Sequence, residues 1–586
     1  MNDLLVPSES PSRPPFGLWL LGLALLVPGL LLYFNVQLRP ALNTLALSQT
    51  DGNILREPEA VGMANFEKLG QDESFSEALG YSITLVTGRL LVVAFVPLIV
   101  GTLAGGLRLG GRVISRLLLA LITVLLSPVA IAVLLSLFLA PLWGRTPSPI
   151  DFGSPLASPS GAALTVQQID MLITVGIAAV VGGTAFMAVL RGREVSFSAS
   201  RAGIGIWLLG LLLVLATLPQ TFDLPWLLTQ GGPGRATNTI ALELFRRGFQ
   251  FFEFGYAAAV ALILLIYCAI IGLLIGLLVT LFGLRLRFAP APKPFDTAPV
   301  VGILNLPLLT LVALPFVGLF VWGVWLSSSS GSTPDLSRLP GFPQTFINTA
   351  GGPWQAIWLT QIPITYLLAL ALGFIRPFGR LFSNIVFVLL VMLAFLPVEA
   401  LVLDWFITAR ELGTLNTQIA TGYSWQVSGF SLLVLKLFFD GAAERYQTAR
   451  ASGQPASDAF LNMVLLPSLA VTLVVGVGLS FAATSHLLWP LITITSADQY
   501  GFPLLLATLR ARLASDGTII AAYGVMFVGL VGTGFLIVFA LLHLFVLDRL
   551  AIIAGPSVEL KQSQRAAQVP YDPLSPTDSP DIGGFG

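Results

Sequence analysis

Long apolar runs cut this chain into about twelve segments, at 17–35, 81–105, 118–143, 170–190, 202–219, 256–284, 299–326, 354–375, 381–404, 424–439, 463–493 and 519–547. Hydrocarbon offers no partner to a bare backbone N–H or C=O, so a run of roughly 20 apolar residues that crosses it must close its hydrogen bonds on itself as a helix. The runs at 202–219 and 424–439 are short enough for one to be re-entrant. The expected fold is all-α, a polytopic membrane protein with about twelve transmembrane helices. Composition agrees, since 55% of residues are hydrophobic and only 10% charged, against about 25% charged in an ordinary soluble domain. The first run lacks a positive flank and a small-residue cleavage site and is too long for a removed signal peptide, so it is expected to anchor the chain.

Thirty basic residues balance thirty acidic ones, so no global field favours nucleic acid as a partner. Cys268 stands alone in an apolar run, which leaves no disulfide within the chain and no cysteine-based metal site. Local charge is more informative, because basic residues in short loops resist translocation. Loops 106–117, 191–201, 285–298 and 376–380 hold Arg108, Arg112, Arg116, Arg191, Arg193, Arg201, Arg285, Arg287, Lys293, Arg376 and Arg380, against only Glu194 and Asp296. They are expected in the cytoplasm with both termini. Segment 36–80 has the reverse bias and is expected outside, with 144–169, 220–255, 327–353, 405–423 and 494–518.

These assignments divide the chain into a cytoplasmic tail (1–16), a six-helix half (17–284), a stiff proline-rich linker (285–298), a second six-helix half (299–554) and a disordered tail (555–586). Two halves of equal helix number in one orientation suggest an internal repeat about an axis along the membrane normal.

Between two apolar runs, 440–462 is too polar for lipid yet rich in alanine, and reads as a short helix, a turn at Ser452-Gly453 and a second short helix. The cluster Gly231-Gly232-Pro233-Gly234 is not a phosphate loop, because no Gly-Lys pair exists in the chain to present an ammonium. A tight external turn is expected there. Ionisable residues inside apolar runs are candidates by cost alone: Arg89, Glu399, Asp404 and His486. An imidazole at His486 beside Trp489 could hydrogen-bond a sugar hydroxyl while the indole stacks on the apolar face of the ring; the plainer reading is a helix-to-helix hydrogen bond. Arg89 either reaches outward or pairs with a carboxylate. Two distant histidines and one cysteine supply no catalytic or metal-spaced constellation.

Several stretches, in order, resemble the two permease subunits of maltose-type sugar importers of the ABC class. Thr229-Gln230-Gly231-Gly232-Pro233-Gly234-Arg235-Ala236-Thr237-Asn238-Thr239, with Phe249, Phe252 and Phe254-Gly255-Tyr256-Ala257, is similar to the external loop and following helix of the first subunit. Arg376-Pro377-Phe378-Gly379-Arg380, Pro397-Val398-Glu399, Leu412-Gly413-Thr414-Leu415-Asn416-Thr417, the segment around Gly453, Leu466-Pro467 and Leu488-Trp489-Pro490-Leu491 are similar to the second. The resemblance implies both permeases fused in one chain of a bacterial inner membrane. It implies that Gln447, Thr448, Ala449, Arg450, Ser452, Gly453, Leu466 and Pro467 form the loop that docks on a cytoplasmic ATPase dimer. Gly231 to Gly234 would touch an external solute-binding protein, and His486, Trp489, Glu399 and Arg89 would line the path of a sugar. ATP and magnesium would belong to the ATPase, with no cofactor on this chain and no enzymatic activity of its own. Departures are Gln447 for the usual Glu, Ser452 for the usual Asp, and one extra residue between Gly453 and Pro467. The first half offers only 191–201 where its own docking loop belongs, too short for two helices at about 1.5 Å per residue. Two rivals remain open: a carrier driven by an ion gradient, and a degenerate permease acting as scaffold or sensor.

Overall fold

The computed structural model describes residues 16–52, 58–107, 109–126, 156, 158–192, 199–289, 299–329, 341–512 and 532–555. Up to Phe288 the described elements are α1 (Phe16–Ser48), α2 (Ala64–Gln71), α3 (Glu73–Gly105), α4 (Leu109–Leu125), α5 (Pro159–Gly192), α6 (Ala199–Leu215), α7 (Asp223–Thr229), α8 (Ile240–Phe245), α9 (Phe254–Phe282) and the strand β1 (Leu284–Phe288). From Pro299 onward they are α10 (Pro299–Ser329), α11 (Pro343–Ile375), α12 (Gly379–Ala394), α13 (Val398–Glu411), α14 (Gln418–Trp425), α15 (Gly429–Ala451), α16 (Ala456–Ala483), α17 (Leu488–Thr493), α18 (Phe502–Arg512), α19 (Gly532–Arg549) and the strand β2 (Leu550–Ala554).

Among the described residues, 7 helices are long and apolar enough to cross a membrane, or up to 10 if each sharply bent pair is one span. The fold is all-α and polytopic, as its apolar runs demand. Of the two expected runs outside that number, 118–143 falls mostly beyond the described residues, and 299–326 contains the shorter apolar helix Leu304–Leu319.

Two of the expected runs break and a third extends. The run 381–404 is two helices, α12 and α13, bent by 77° where Pro397 adopts an extended backbone (ψ 139°) and denies the helix a donor. The run 463–493 ends at Ala483, and Thr484 to Leu487 form a break before α17. The run 424–439 is longer than expected, because α15 carries on through the polar segment to Ala451. Widened turns occur at Phe34–Leu38, Ala178–Gly182, Arg246–Gln250, Ala356–Gln361, Ala371–Ile375 and Leu461–Leu465, and all but the second and third end two residues before a proline (Pro40, Pro363, Pro377, Pro467). Proline lacks the N–H and its ring presses on the carbonyl four residues back, so the turn ahead of it opens.

Helices α9 and α12 cross in close contact. A Cβ at Gly272 would lie 2.9 Å from the Met392 Cα, and one at Gly276 3.0 Å from the Val388 Cα. Small residues four apart bring two backbones into contact in a setting where lipid removes the hydrophobic advantage of larger ones. Loops sort into two ends. Arg112, Arg116, Arg191, Arg285 and Arg376 all make ion pairs at one end, with Asp548, Glu444 and Asp440. At the other, Lys68 and Arg247 bind Glu253, and Arg247 also binds Asp72 and Glu243.

Candidate functional site

At the arginine-rich end, α15 and α16 form a helical hairpin whose tip protrudes, with every residue from Arg450 to Asp458 exposed. The expected pair of separate short helices is instead the continuous ends of two long ones, because the alanine-rich sequence on either side of the turn lets each helix propagate without a break. The turn is capped: Gly453 takes φ +87°, its N–H donates to Arg450 O (3.1 Å), and the Gln454 N–H donates to Ala449 O (3.1 Å). This closes the orphan carbonyls of the last turn, and glycine at the left-handed position carries no Cβ penalty. The Arg450 guanidinium donates to Gln454 O (2.6 Å) and braces the same turn. Gln447 is exposed, Thr448 donates to Glu444 O (3.1 Å) and Ser452 to Ala449 O (2.9 Å). Leu466 and Pro467 lie a widened turn further up α16. The Phe374 ring sits 5.3 Å from Tyr446 and 5.7 Å from Phe460, touching both arms of the hairpin.

The root of the hairpin is buried and charged. Glu444 accepts from Arg285 Nη1 (2.8 Å) with side chains 5% and 9% exposed. Asp440 accepts from Arg376 (2.9 Å) and from Lys436 (2.5 Å), whose ammonium also meets Asn384 Oδ1 (3.1 Å). Sequence reasoning missed Glu444 as an anchor and missed the partner it grips: Arg285 belongs to β1, in the stretch expected to be a solvated linker. The remainder of that linker, 290–298, and the tail 556–586 lie outside the described residues, as does 193–198 of the short first-half loop. The strict alternation Leu284-Arg285-Leu286-Arg287-Phe288 was the available signal, since a period of two is the strand pattern.

The interior candidates do not form one cluster. Arg89 pairs with Asp170 through two bonds (Nε 2.8 Å, Nη2 2.6 Å) and donates to Thr217 Oγ1 (2.8 Å), a structural pairing between α3 and α5. Trp489 is fully buried; its indole N–H donates to Ala420 O (2.5 Å), and Trp405 and Tyr423 pack edge-on at 5.9 and 6.4 Å. The ring that shares a cavity with His486 is Trp425, edge-on at 5.9 Å, and Asn348, Thr349, Thr421 and Gln499 complete the polar side of that cavity. His486 lies in the break after α16, and its Nε2 meets no hydrogen-bond partner. Glu399, 5% exposed, sits in the first turn of α13 with Oε2 likewise unpartnered, as is Asp223 Oδ1 at the start of α7. Asp404 accepts from Asn43 (2.8 Å) and ties α13 to α1.

At the opposite end, Gly231 (φ +82°) and Gly234 (φ +57°) flank a cis Gly232-Pro233 bond. Gly231 is buried, Gly234 exposed, and Thr229 and Thr237 share a 2.5 Å hydrogen bond across the loop. Arg235 reaches Ser74 and Arg246 reaches Gln230 O, fixing the turn on α3 and on the widened turn after α8.

Long apolar helices with their loops sorted to two ends define a multi-pass membrane protein. Short matches to known permeases narrow the class. Over 48 residues, 8% of this chain and 16% of the relative, the sequence is 40% identical to the sulfoquinovosyl glycerol transport system permease protein SmoG of Agrobacterium fabrum. Over 52 residues, 9% of this chain and 18% of the relative, it is 40% identical to a probable ABC transporter permease protein of Pyrococcus horikoshii. The matched stretches span less than a fifth of either relative. No protein-family model matches the chain. The similarity supports an ABC-transporter permease and leaves cargo and direction of transport open.

Proposed function

We propose that this chain is the membrane-spanning component of an ATP-driven importer, with two permease halves in one polypeptide and a carbohydrate as cargo. The arginine-rich end faces the cytoplasm, following the rule that basic loops stay inside. The observation that carries the reading is the capped, exposed turn at Arg450 to Asp458 on a buried, ion-paired root. A rigid protrusion of that kind suits the cleft of a cytoplasmic ATPase dimer, whose closure on nucleotide would tilt α15 and α16 together. An external binding protein would deliver solute at the end that carries Gly231 to Gly234, and the halves would rock about their α9–α12 contact to alternate access. Uncharged polar groups around His486 and Trp425 suit a hydroxyl-bearing solute; such sites combine an apolar or aromatic wall with a few placed hydrogen-bonding groups.

The test is purification in mild detergent from its native membrane. An ATPase should co-elute, and replacing Gly453 by valine should abolish solute-stimulated hydrolysis. A Cβ at 453 would meet nothing within 4 Å, so the substitution acts on the cap and the docked surface and leaves the packing alone. Unchanged stimulation removes the docking role.

A second reading, a carrier driven by an ion gradient, draws on Glu399 and Asp223, buried or partly buried carboxylates each with an oxygen that meets no partner. Uptake that survives ATP depletion and collapses with a protonophore or sodium removal would favour it.

A further inference from the structure

We propose that Asp548 and Glu444 are positioning residues at the two faces of a transmission ribbon, formed by β1 and β2, through which the exposed turn at Arg450 to Asp458 moves both halves of the molecule. The inference rests on the permease reading and says how one docking turn could serve two halves.

The ribbon is antiparallel, with Leu284 opposite Ala554, Leu286 opposite Ile552 and Phe288 opposite Leu550. Its ladder is prolonged at both ends, by the Ala289 N–H on Arg549 O (2.7 Å) and the Gly555 N–H on Gly283 O (3.1 Å). β1 leaves the last helix of the first half and β2 ends the second, so each strand belongs to a different half by sequence. In space they exchange neighbours. β1, from the first half, lies against α15 of the second: a Cβ at Gly441 would stand 2.2 Å from Leu286 O, Arg285 binds Glu444, and the Phe288 and Phe438 rings are 6.3 Å apart. β2, from the second half, lies against α5 of the first: a Cβ at Gly192 would stand 2.1 Å from Ile552 O.

The segment just before β2 is held as firmly. Asp548, 1% exposed at its side chain, takes Arg191 (2.5 Å), Arg116 (2.6 Å) and Arg112 (2.8 Å), which come from α5 and α4. Arg191 also donates to Leu547 O and Leu550 O (3.1 Å each). Glu444 lies six residues from Arg450, about 9 Å along the helix at 1.5 Å per residue. A tilt of the hairpin therefore displaces β1 at once, since backbone touches backbone at Gly441. The ladder hands the displacement to β2, and Gly192 with the three arginines hands it to α5 and α4. Close-packed contacts of this kind have no slack to absorb a shift. The first half then needs no docking helices of its own, which accounts for a loop of only 191–201 where they would stand.

The test uses the complex of the full chain with its co-purifying ATPase, in lipid nanodiscs, on a Cys268→Ala background. Spin labels on lipid-facing Ile204 of the first half and Leu389 of the second report the distance between halves, without nucleotide and after trapping with ATP and vanadate. The native chain should show a shift on trapping. With Glu444→Gln or Asp548→Asn that shift should fall to about half or less while the ATPase still co-elutes and hydrolyses ATP. Arg285→Glu combined with Glu444→Arg should restore it. A reversible cystine between Leu286→Cys and Ile552→Cys, which ties the strands and does not depend on the buried charges, should leave the shift intact because the ribbon moves as one piece. A full shift in both single variants, or loss of the shift on forming the cystine, overturns the inference and leaves the permease reading standing. Absence of any shift in the native chain sinks both.

Discussion

Gly441 and Leu286 touch backbone to backbone: a methyl group at position 441 would lie 2.2 Å from the Leu286 carbonyl oxygen and 3.1 Å from Arg287 Cγ. Carbonyl oxygens do not yield as a flexible side-chain tip does, so Gly441→Ala must push β1 away from α15. The expected cost is about 1–3 kcal/mol, the range for overpacking, read as a lowered unfolding midpoint of the purified protein. Gly453→Ala serves as the contrast, because only backbone strain opposes it, and it should cost about 1 kcal/mol. Equal effects of the two would contradict the packing described at Gly441.

Arg89 and Asp170 should behave as a unit. With side chains 12% and 8% exposed, either partner alone is a poorly solvated charge, so Asp170→Asn is expected to cost about 3–5 kcal/mol. Replacing both charges with apolar side chains of similar reach, Arg89→Met with Asp170→Leu, should cost less than the single change. A double-mutant cycle on thermal stability checks this; additive losses would mean that the pair is not coupled.

Acid should loosen the end opposite the arginines. Burial works to raise the Asp72 carboxyl, but the Tyr256 hydroxyl, the Ser74 N–H and the Arg247 guanidinium outweigh it and hold it below the usual range. Burial likewise acts on Glu253, and hydrogen bonds from Lys68 and Arg247 overcome it. Both carboxylates are thus depressed in the fold, so their contribution is fully present above the unfolded values of about 4 and is lost as pH falls through the lower folded values. Protection against hydrogen exchange in Ala64–Gln71, taken relative to the free-peptide rate at each pH, should fall on acidification below about pH 4, and Asp72→Asn with Glu253→Gln should flatten that dependence. An unaltered pH profile in the double variant would exclude these two groups as its source.

Trp489 and Trp425 separate structure from solute handling. Trp489→Phe strands the Ala420 carbonyl in a buried setting and should cost about 1–3 kcal/mol of stability, with little change in the solute concentration that gives half-maximal uptake. Trp425→Ala and His486→Ala, which remove cavity walls, should move that concentration severalfold with smaller effects on folding. A reversed pattern would place the solute elsewhere.

The helical architecture was legible because the bilayer permits so few solutions: each long apolar run had to close its own hydrogen bonds. Loop sorting was legible too, since the arginines of 106–117, 191–201, 285–298 and 376–380 do converge where described. The turn at Ser452-Gly453 announced itself through glycine between polar, alanine-rich arms. The breaks at 395–397 and 484–487 did not: Phe395 and Leu396 are apolar, Thr484-Ser485-His486 is a short polar stretch inside a long apolar run, and hydropathy is blind to backbone direction. Pro397 alone hinted at the first. The strand pairing was hidden most deeply. Leu550-Ala551-Ile552-Ile553-Ala554 reads as the fading end of a helix, and its partner lies some 260 residues earlier, so only tertiary context chooses strand over helix there. Asp548 gave no local cue, as its three arginines come from two helices far up the chain.

The late position of β2 bears on how the molecule is made. A ribosome must polymerise more than 540 residues before Leu286 finds Ile552, and until then the edge of β1, Gly192 and three guanidinium groups on α4 and α5 wait without their permanent company. The helices up to Phe282 can insert early, but their arginine-rich face matures only with the final strand. Such long-range closure is slow and exposes unpaired edges in the interim. Two gene fragments cut between the halves would each emerge with half of a ribbon, and would have to meet as separate molecules before either acquired its finished inner face.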